Sequence, residues 1–293
     1  MRLNLSAPPA LSPEQAEASR PAPRERVVLV PCSASTSRQW TALVEQLDEY
    51  DGLPIDLCGH GIRARWHGAG PLSLTEEAAA IAEAAVEGGQ FHLVGHSYGG
   101  AVALHYARLF PERLASLTLV EPSAFHVLKG LRGEDGRLLD EIRGLAATVT
   151  AAVVAGDYCS AMARFIDYWG GAGSWDSVAE SRQVQFAQLA VHVAHHFHGL
   201  IEEKATLADY AAIAAPTLIV SGTRSPAPSR AITRLLAEAM PRARHRTVRD
   251  AGHLSPITHP GEVNALVAAH VRTHRASPGL AAPRPGPICA DAA

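Results

Sequence analysis

Short runs of consecutive apolar residues alternate along the chain with longer stretches whose apolar positions recur every three or four residues. The short runs at 27–30, 53–57, 91–94, 117–120 and 217–220 are rich in Val, Ile and Leu and, with the more polar segment 244–248, predict six strands. Between them, the periodic stretches at 38–49, 74–87, 98–109, 230–240 and 262–273 predict helices. Each is long enough to carry the chain back across a sheet, so successive strands are expected to run parallel. The fold class implied is α/β: a mostly parallel sheet with helices on both faces.

The rhythm breaks between residues 123 and 209, where strand signals vanish and helical patterns are separated by glycine-rich turns such as WGGAGSW. This stretch reads as a helical lid inserted after the strand ending at Glu121, on a core formed by residues 26–122 and 210–275. Its aromatics Phe165, Tyr168, Trp169, Trp175, Phe186 and Phe197 are expected mainly to hold the lid's own core. Trp169 and Trp175 are the ones expected to reach substrate. Residues 1–25 and 276–293 combine Pro, Gly and Ala without periodicity and are expected to be disordered tails.

Composition narrows the function. The chain has 293 residues, 47% of them apolar, enough for a substantial core, and a net charge of −3 with no run of like charges. That balance argues against a nucleic-acid partner. The longest apolar runs fall far short of the roughly 20 residues of a membrane-spanning helix, and the first residues lack a signal peptide's apolar region. The four cysteines, Cys32, Cys58, Cys159 and Cys289, are widely spaced and read as reduced thiols of a cytoplasmic protein. A small-molecule substrate is the expected partner.

The chemistry concentrates in FHLVGHSYGGAVALHYA, where an apolar strand runs into Gly95-His96-Ser97-Tyr98-Gly99 and then into an alanine-rich helix. Such a strand–turn–helix holds its central serine exposed on a tight bend, and the flanking glycines leave room for the turn. Ser97 is thereby a candidate nucleophile at a helix N-terminus, whose amides favour developing negative charge. Serine needs a base, and Gly252-His253, in the loop after the last strand, supplies the best-placed of fifteen histidines. His259 precedes Pro260 at a helix start and reads as structural. An oxyanion formed on Ser97 would take hydrogen bonds from the backbone N–H of Tyr98 and of Ser33, the latter in the loop after the first strand. Cys32 and His96, beside these residues, are expected to contact substrate.

Together these residues resemble the α/β-hydrolase superfamily, from about Arg26 to Thr273. LCGHGIRAR is similar to that family's turn after the second strand, with Asp56 and Gly59-His60-Gly61 in register. DYWGGAGSW, PTLIVSGTRSPAP and AGHLSPITHPGEVNALV resemble a bacterial branch of generic hydrolases. The resemblance implies a serine-esterase mechanism through an acyl-enzyme, with no cofactor and no metal, on an ester-like bond (carboxylester, lactone or thioester) of a small apolar substrate. Carbon–carbon hydrolysis, acyl transfer and non-catalytic ligand binding are the alternatives. Two positions depart from the family: Pro31-Cys32 replaces a His-Gly, and Ser225 stands where an aspartate is expected. Glu121, at the end of the strand beside the nucleophile's own, is the candidate replacement acid, as in certain haloalkane dehalogenases, with Asp250 as competitor. His192, His195, His196 and His198 share helical spacing, but no glutamate lies between them as a catalytic zinc motif requires.

Overall fold

The computed structural model describes residues 24–63, 72–85, 89–133 and 135–276. Six strands form one fully parallel sheet: β1 (Arg26–Val30), β2 (Asp51–Pro54), β3 (Phe91–His96), β4 (Leu114–Val120), β5 (Thr217–Gly222) and β6 (Ala243–Val248), in the order β2-β1-β3-β4-β5-β6. Every residue of β3, β4 and β5 is buried. This explains their unbroken apolar runs, because a parallel sheet covered on both faces has no solvent side to alternate against.

Side chains on each strand divide between two cores. Val28, Val30 and Leu93 face the larger cluster, under α2 (Leu74–Ala84), α3 (Tyr98–Leu109) and the insertion. Val27, Leu29 and Val94 face the smaller one, under α1 (Thr41–Gln46) and the C-terminal helix Pro260–Thr273. A capping box starts α2: the Ser73 hydroxyl accepts from the Glu76 N–H while the Glu76 carboxylate accepts from the Ser73 N–H.

The expected elements are present with shifted ends. The helix expected at 38–49 divides into a 3-10 turn, Ser37–Trp40, and α1. The second strand was expected at 53–57, but β2 occupies the sheet edge and lets go after Pro54. Its residues peel away because the Asp56 carboxylate anchors a turn, accepting from the N–H groups of Ser37 at 2.7 Å and Ile62 at 3.1 Å.

Between β4 and β5 lie α4 (Arg137–Val154), α5 (Tyr158–Gly170), α6 (Glu180–Ala187), α7 (Ala190–Glu202) and α8 (Leu207–Ala211). Among the described residues no helix is long and apolar enough to cross a membrane. The terminal segments expected to be disordered lie, but for residues 24, 25 and 276, outside the described residues.

Ladder pairs Val30 with Gly95, His96 with Val120, Val120 with Val220 and Gly222 with Val248 bring the strand ends to one edge of the sheet. At that edge Ser97 adopts φ 55° and ψ −117°, a left-handed conformation costing a non-glycine residue on the order of 1–3 kcal/mol. The turn is held by close backbone approach: a Cβ on Gly95 would meet the Gly99 carbonyl oxygen, and one on Gly99 the Pro31 carbonyl oxygen.

Gly99→Ala is therefore expected to destabilise the protein by at least about 2 kcal/mol, because the backbone carbonyls of Val30 and Pro31 at the end of β1 have nowhere to retreat. At about 2–4 °C per kcal/mol for a domain of this size, that is a visible drop in Tm. Gly144, exposed on α4 with open space where a Cβ would go, is the contrast: Gly144→Ala should leave Tm unchanged or raise it slightly. Equal melting of the two variants would remove close approach as the reason for Gly99.

Candidate active site

Four loops at the ends of β1, β3, β4 and β6 bring together residues far apart in sequence. Ser97 follows β3; His253 lies in the loop after β6. The Ser97 Oγ–H donates to His253 Nε2 at 2.8 Å, and both residues are buried. The other ring nitrogen, His253 Nδ1, faces Glu121 Oε2 at 3.3 Å and Ser229 Oγ at the same distance. A carboxylate can only accept, so the proton sits on Nδ1 and leaves Nε2 free to take the one from Ser97. The imidazole lies under the Trp169 indole, with ring centroids 4.0 Å apart.

Glu121 directly follows β4 with φ 49° and is wholly buried. Its Oε1 accepts from the Gly222 N–H and the Ser225 hydroxyl, each at 2.5 Å. Ser225, at the position where an aspartate was expected, thus donates to the Glu121 carboxylate. Asp250 points away: it is exposed and pairs with Arg224 at 2.8 Å.

Among the described residues the backbone N–H groups of Ser33 and Tyr98 have no protein acceptor, and both residues border the cavity beside Ser97. Gln39 fixes the loop that carries Ser33. Its Oε1 accepts from the Cys32 N–H, and its Nε2 donates to His96 Nδ1 at 3.1 Å. His96 Nε2–H then donates to the His253 carbonyl at 2.9 Å. Burial, then the proximity of His253, pushes His96 down to about 3, so it stays neutral and keeps these roles.

Two expected substrate contacts are corrected by these placements. His96 is fully buried beneath the site and positions the His253 loop instead. Trp175 packs against the large core, its backbone N–H held by Asp167, and lines neither cavity described below. Trp169 and Cys32 do border the site. Burial raises the Cys32 thiol to about 12, so it is an inert wall. Of the insertion's aromatics, Phe165, Trp169, Phe186 and Phe197 all reach the cavities, more than their expected packing role implied.

A family model for the alpha/beta hydrolase fold matches residues 25–260, most of the chain. The chain belongs to the α/β-hydrolase fold family. Over 100 residues it is 35% identical to Lipase LipV of Mycobacterium tuberculosis, a match covering 33% of this chain and 37% of that protein, so it spans well under half of that relative. Among solved structures, a hydrolase from Pseudomonas aeruginosa PA01 superposes with TM-score 0.63 and 23% identity, over 85% of this chain and 90% of the other. An esterase from Exiguobacterium antarcticum does so with TM-score 0.66 and 18% identity, over 85% and 92%.

This α/β-hydrolase also carries a polar cluster that spacing alone did not reveal. His196 of α7 reaches Ser33, with Nδ1 and Oγ 2.6 Å apart, and its ring stacks on Tyr98 at 3.7 Å and on His60 at 5.3 Å. Its Nε2 faces Glu77 Oε1 at 3.8 Å, and neither atom has a closer partner. His60 Nε2 accepts from the Ala34 N–H while its Nδ1 donates to the Cys58 carbonyl. Burial holds His60 and His196 below the ordinary imidazole range, with neighbouring imidazoles adding to the shift of His196. Among the described residues no group of three His, Cys, Asp or Glu side chains is arranged to bind a metal.

Glu77 is pushed up to about 7, chiefly by burial and only partly relieved by the Cys58 N–H it accepts. A carboxyl whose folded pKa exceeds its unfolded one binds protons more tightly in the folded state, so it costs stability as pH rises from about 4.5 to about 7. Glu77→Gln should therefore gain stability relative to wild type across that window, by on the order of 3 kcal/mol at its upper end, and no further above it. Urea titrations at pH 4.5, 6 and 8 measure this; a difference independent of pH would mean Glu77 is not desolvated.

Proposed function

We propose that this chain is a serine hydrolase that cleaves ester-like bonds, carboxylester, lactone or thioester, of small apolar substrates through an acyl-enzyme on Ser97. The observation that carries this reading is the 2.8 Å contact from Ser97 Oγ to His253 Nε2, with Glu121 behind the imidazole. In the first half-reaction His253 takes the Ser97 proton as Oγ attacks the carbonyl carbon, then gives it to the leaving oxygen or sulfur. In the second half, water is activated by the same nitrogen and releases the acid. The N–H groups of Ser33 and Tyr98 would receive the oxyanion, and each such donor is worth about 3–4 kcal/mol of transition-state stabilisation. Glu121 keeps the imidazole in the required tautomer and balances its charge when protonated. The helical insertion, residues 123–209, would act as a lid over the core of residues 26–122 and 210–275. The lipase and esterase names carried by its relatives agree with this reading.

The test is covalent labelling with a fluorophosphonate together with hydrolysis of p-nitrophenyl esters. Wild type should label and turn over; Ser97→Ala should do neither while melting near wild type, and residual turnover within about tenfold would sink the assignment. Glu121→Gln should lower turnover by up to about 10⁴. Ser225→Asp added to that variant should recover part of the loss, because Ser225 Oγ lies 2.5 Å from Glu121 Oε1. In the wild-type background the same substitution should instead lower Tm, since it buries a second carboxylate against the first. A Glu121→Gln variant that melts early yet keeps its rate per folded molecule would show Glu121 to be structural.

A further inference from the structure

Ser97 stands where two unequal cavities meet. The smaller, about 20 Å³, is bounded beyond Ser97 by Tyr98, Ser123, Phe125, Val193, Phe197 and Leu200. The larger, about 300 Å³, is bounded by His253, Leu254, Ile257, Val178, Arg182 and Phe186. Trp169 and Phe165 form part of both walls. Only the larger cavity has His253 in its wall.

The chemistry assigns the two. A tetrahedral carbon on Ser97 Oγ carries three further groups: the oxyanion, the leaving group and the remainder of the acyl group. The oxyanion goes to the Ser33 and Tyr98 amides. The leaving oxygen must reach His253 Nε2 to be protonated, so its substituent lies in the larger cavity. The acyl residue is left with the smaller one. About 10–15 Å³ holds a single water molecule, so the smaller cavity admits one or two heavy atoms.

Its wall is also packed against enlargement. Phe197, buried on α7, stacks on Phe125 at 6.1 Å and meets Phe165 edge-on at 6.0 Å. Val193 and Phe125, in the same wall, are also buried. Opening such a wall by even a methylene forces side chains from their preferred rotamers.

Resting on the acyl-enzyme reading above, we infer that the substrates are acetyl-sized esters of larger, mainly apolar alcohols: a short acyl group in the pocket of Phe125, Phe197 and Leu200, and the bulk of the molecule on the leaving side. Ser97 Oγ bonds the acetyl carbon; the C–O bond to the alcohol breaks, and the alcohol leaves with the proton relayed by His253. Water then adds to the acetyl carbon, its proton passes through His253 back to Ser97 Oγ, and acetic acid departs. The narrow side sets acyl length, and the wide side tolerates variation.

Two substrate series separate the sides. With p-nitrophenol as fixed leaving group, kcat/KM should fall at least about tenfold from acetate to butanoate and further to octanoate. With acetyl fixed, ethyl, butyl and octyl acetates have alcohols of equal leaving ability, and kcat/KM should rise about tenfold or more along the series. Leu200→Ala should move the acyl optimum toward butanoate; Phe197→Leu provides a milder opening of the same wall should the first variant fold poorly. Phe186→Ala, on the leaving side, should alter the alcohol series and leave the acyl ranking intact. A protein that labels with fluorophosphonate yet hydrolyses octanoate as well as acetate overturns the assignment of the cavities and leaves the serine-hydrolase reading standing. Absence of both labelling and turnover overturns the two together.

Discussion

Close packing of bare backbone at the end of β3 is the constraint from which the rest of the site follows. Because Gly99 lies against the carbonyl oxygen of Pro31, the start of α3 and the loop after β1 are fixed relative to each other. That one approach places the Tyr98 and Ser33 amides on the same side of Ser97. It also forces Ser97 into a left-handed conformation, with strain balanced by burial on both sides of the sheet. The Ser97 N–H still donates to the Val120 carbonyl, and the Ser97 carbonyl accepts from the Ser123 N–H, so the bend costs no backbone hydrogen bond at those groups. The next strand is tied to the turn in the same stroke.

Electrostatics explains how a buried carboxylate can be accommodated at the end of β4, beside His253. A wholly buried carboxylate must have its oxygens satisfied. Glu121 has one oxygen on the Gly222 amide and the Ser225 hydroxyl, and the other toward His253. An aspartate at position 225 would set a second carboxylate against the first in a buried site, where like charges so close cannot both ionise. Ser225 is thus the complement of Glu121: a donor where the acid now needs one.

This relation marks the limit of what the sequence showed. The apolar runs were legible at the four central strands because parallel strands buried on both faces carry that signature locally, whereas the edge strands β2 and β6 are only partly buried. The serine turn was legible for the same reason: strand, glycine, serine, glycine and helix are contiguous. Glu121 was legible only through topology, as the end of the strand adjoining β3. Gln39, Ser123 and Ser229 carry no local signal, since isolated polar residues are common and their partners lie tens of residues away. Trp175 and His96 misled for a related reason. Proximity in sequence to the turn or to other aromatics does not say which way a side chain faces, and His96, as the last residue of β3, points into the protein rather than the cavity.

The histidine-rich helix α7 shows how a pattern suggestive of metal binding can arise from packing. His192 and His196 are buried while His198 is exposed, so the spacing that aligns them on one face serves burial. Gly59 must lack a side chain because His192 occupies that space, and His196 lies between Tyr98 and His60. Neutral imidazoles suit this role: they stack like aromatic rings yet bring a donor and an acceptor to loops with polar backbone to satisfy. Charging one of them would cost desolvation and charging two would add repulsion, consistent with burial holding both His60 and His196 low. The helix that walls the narrow cavity through Val193, Phe197 and Leu200 therefore also reaches, through His196, the loop carrying the Ser33 amide. The shape of the narrow cavity and the position of the Ser33 loop are set by one rigid element, so a residue on α7 that alters one is positioned to alter the other.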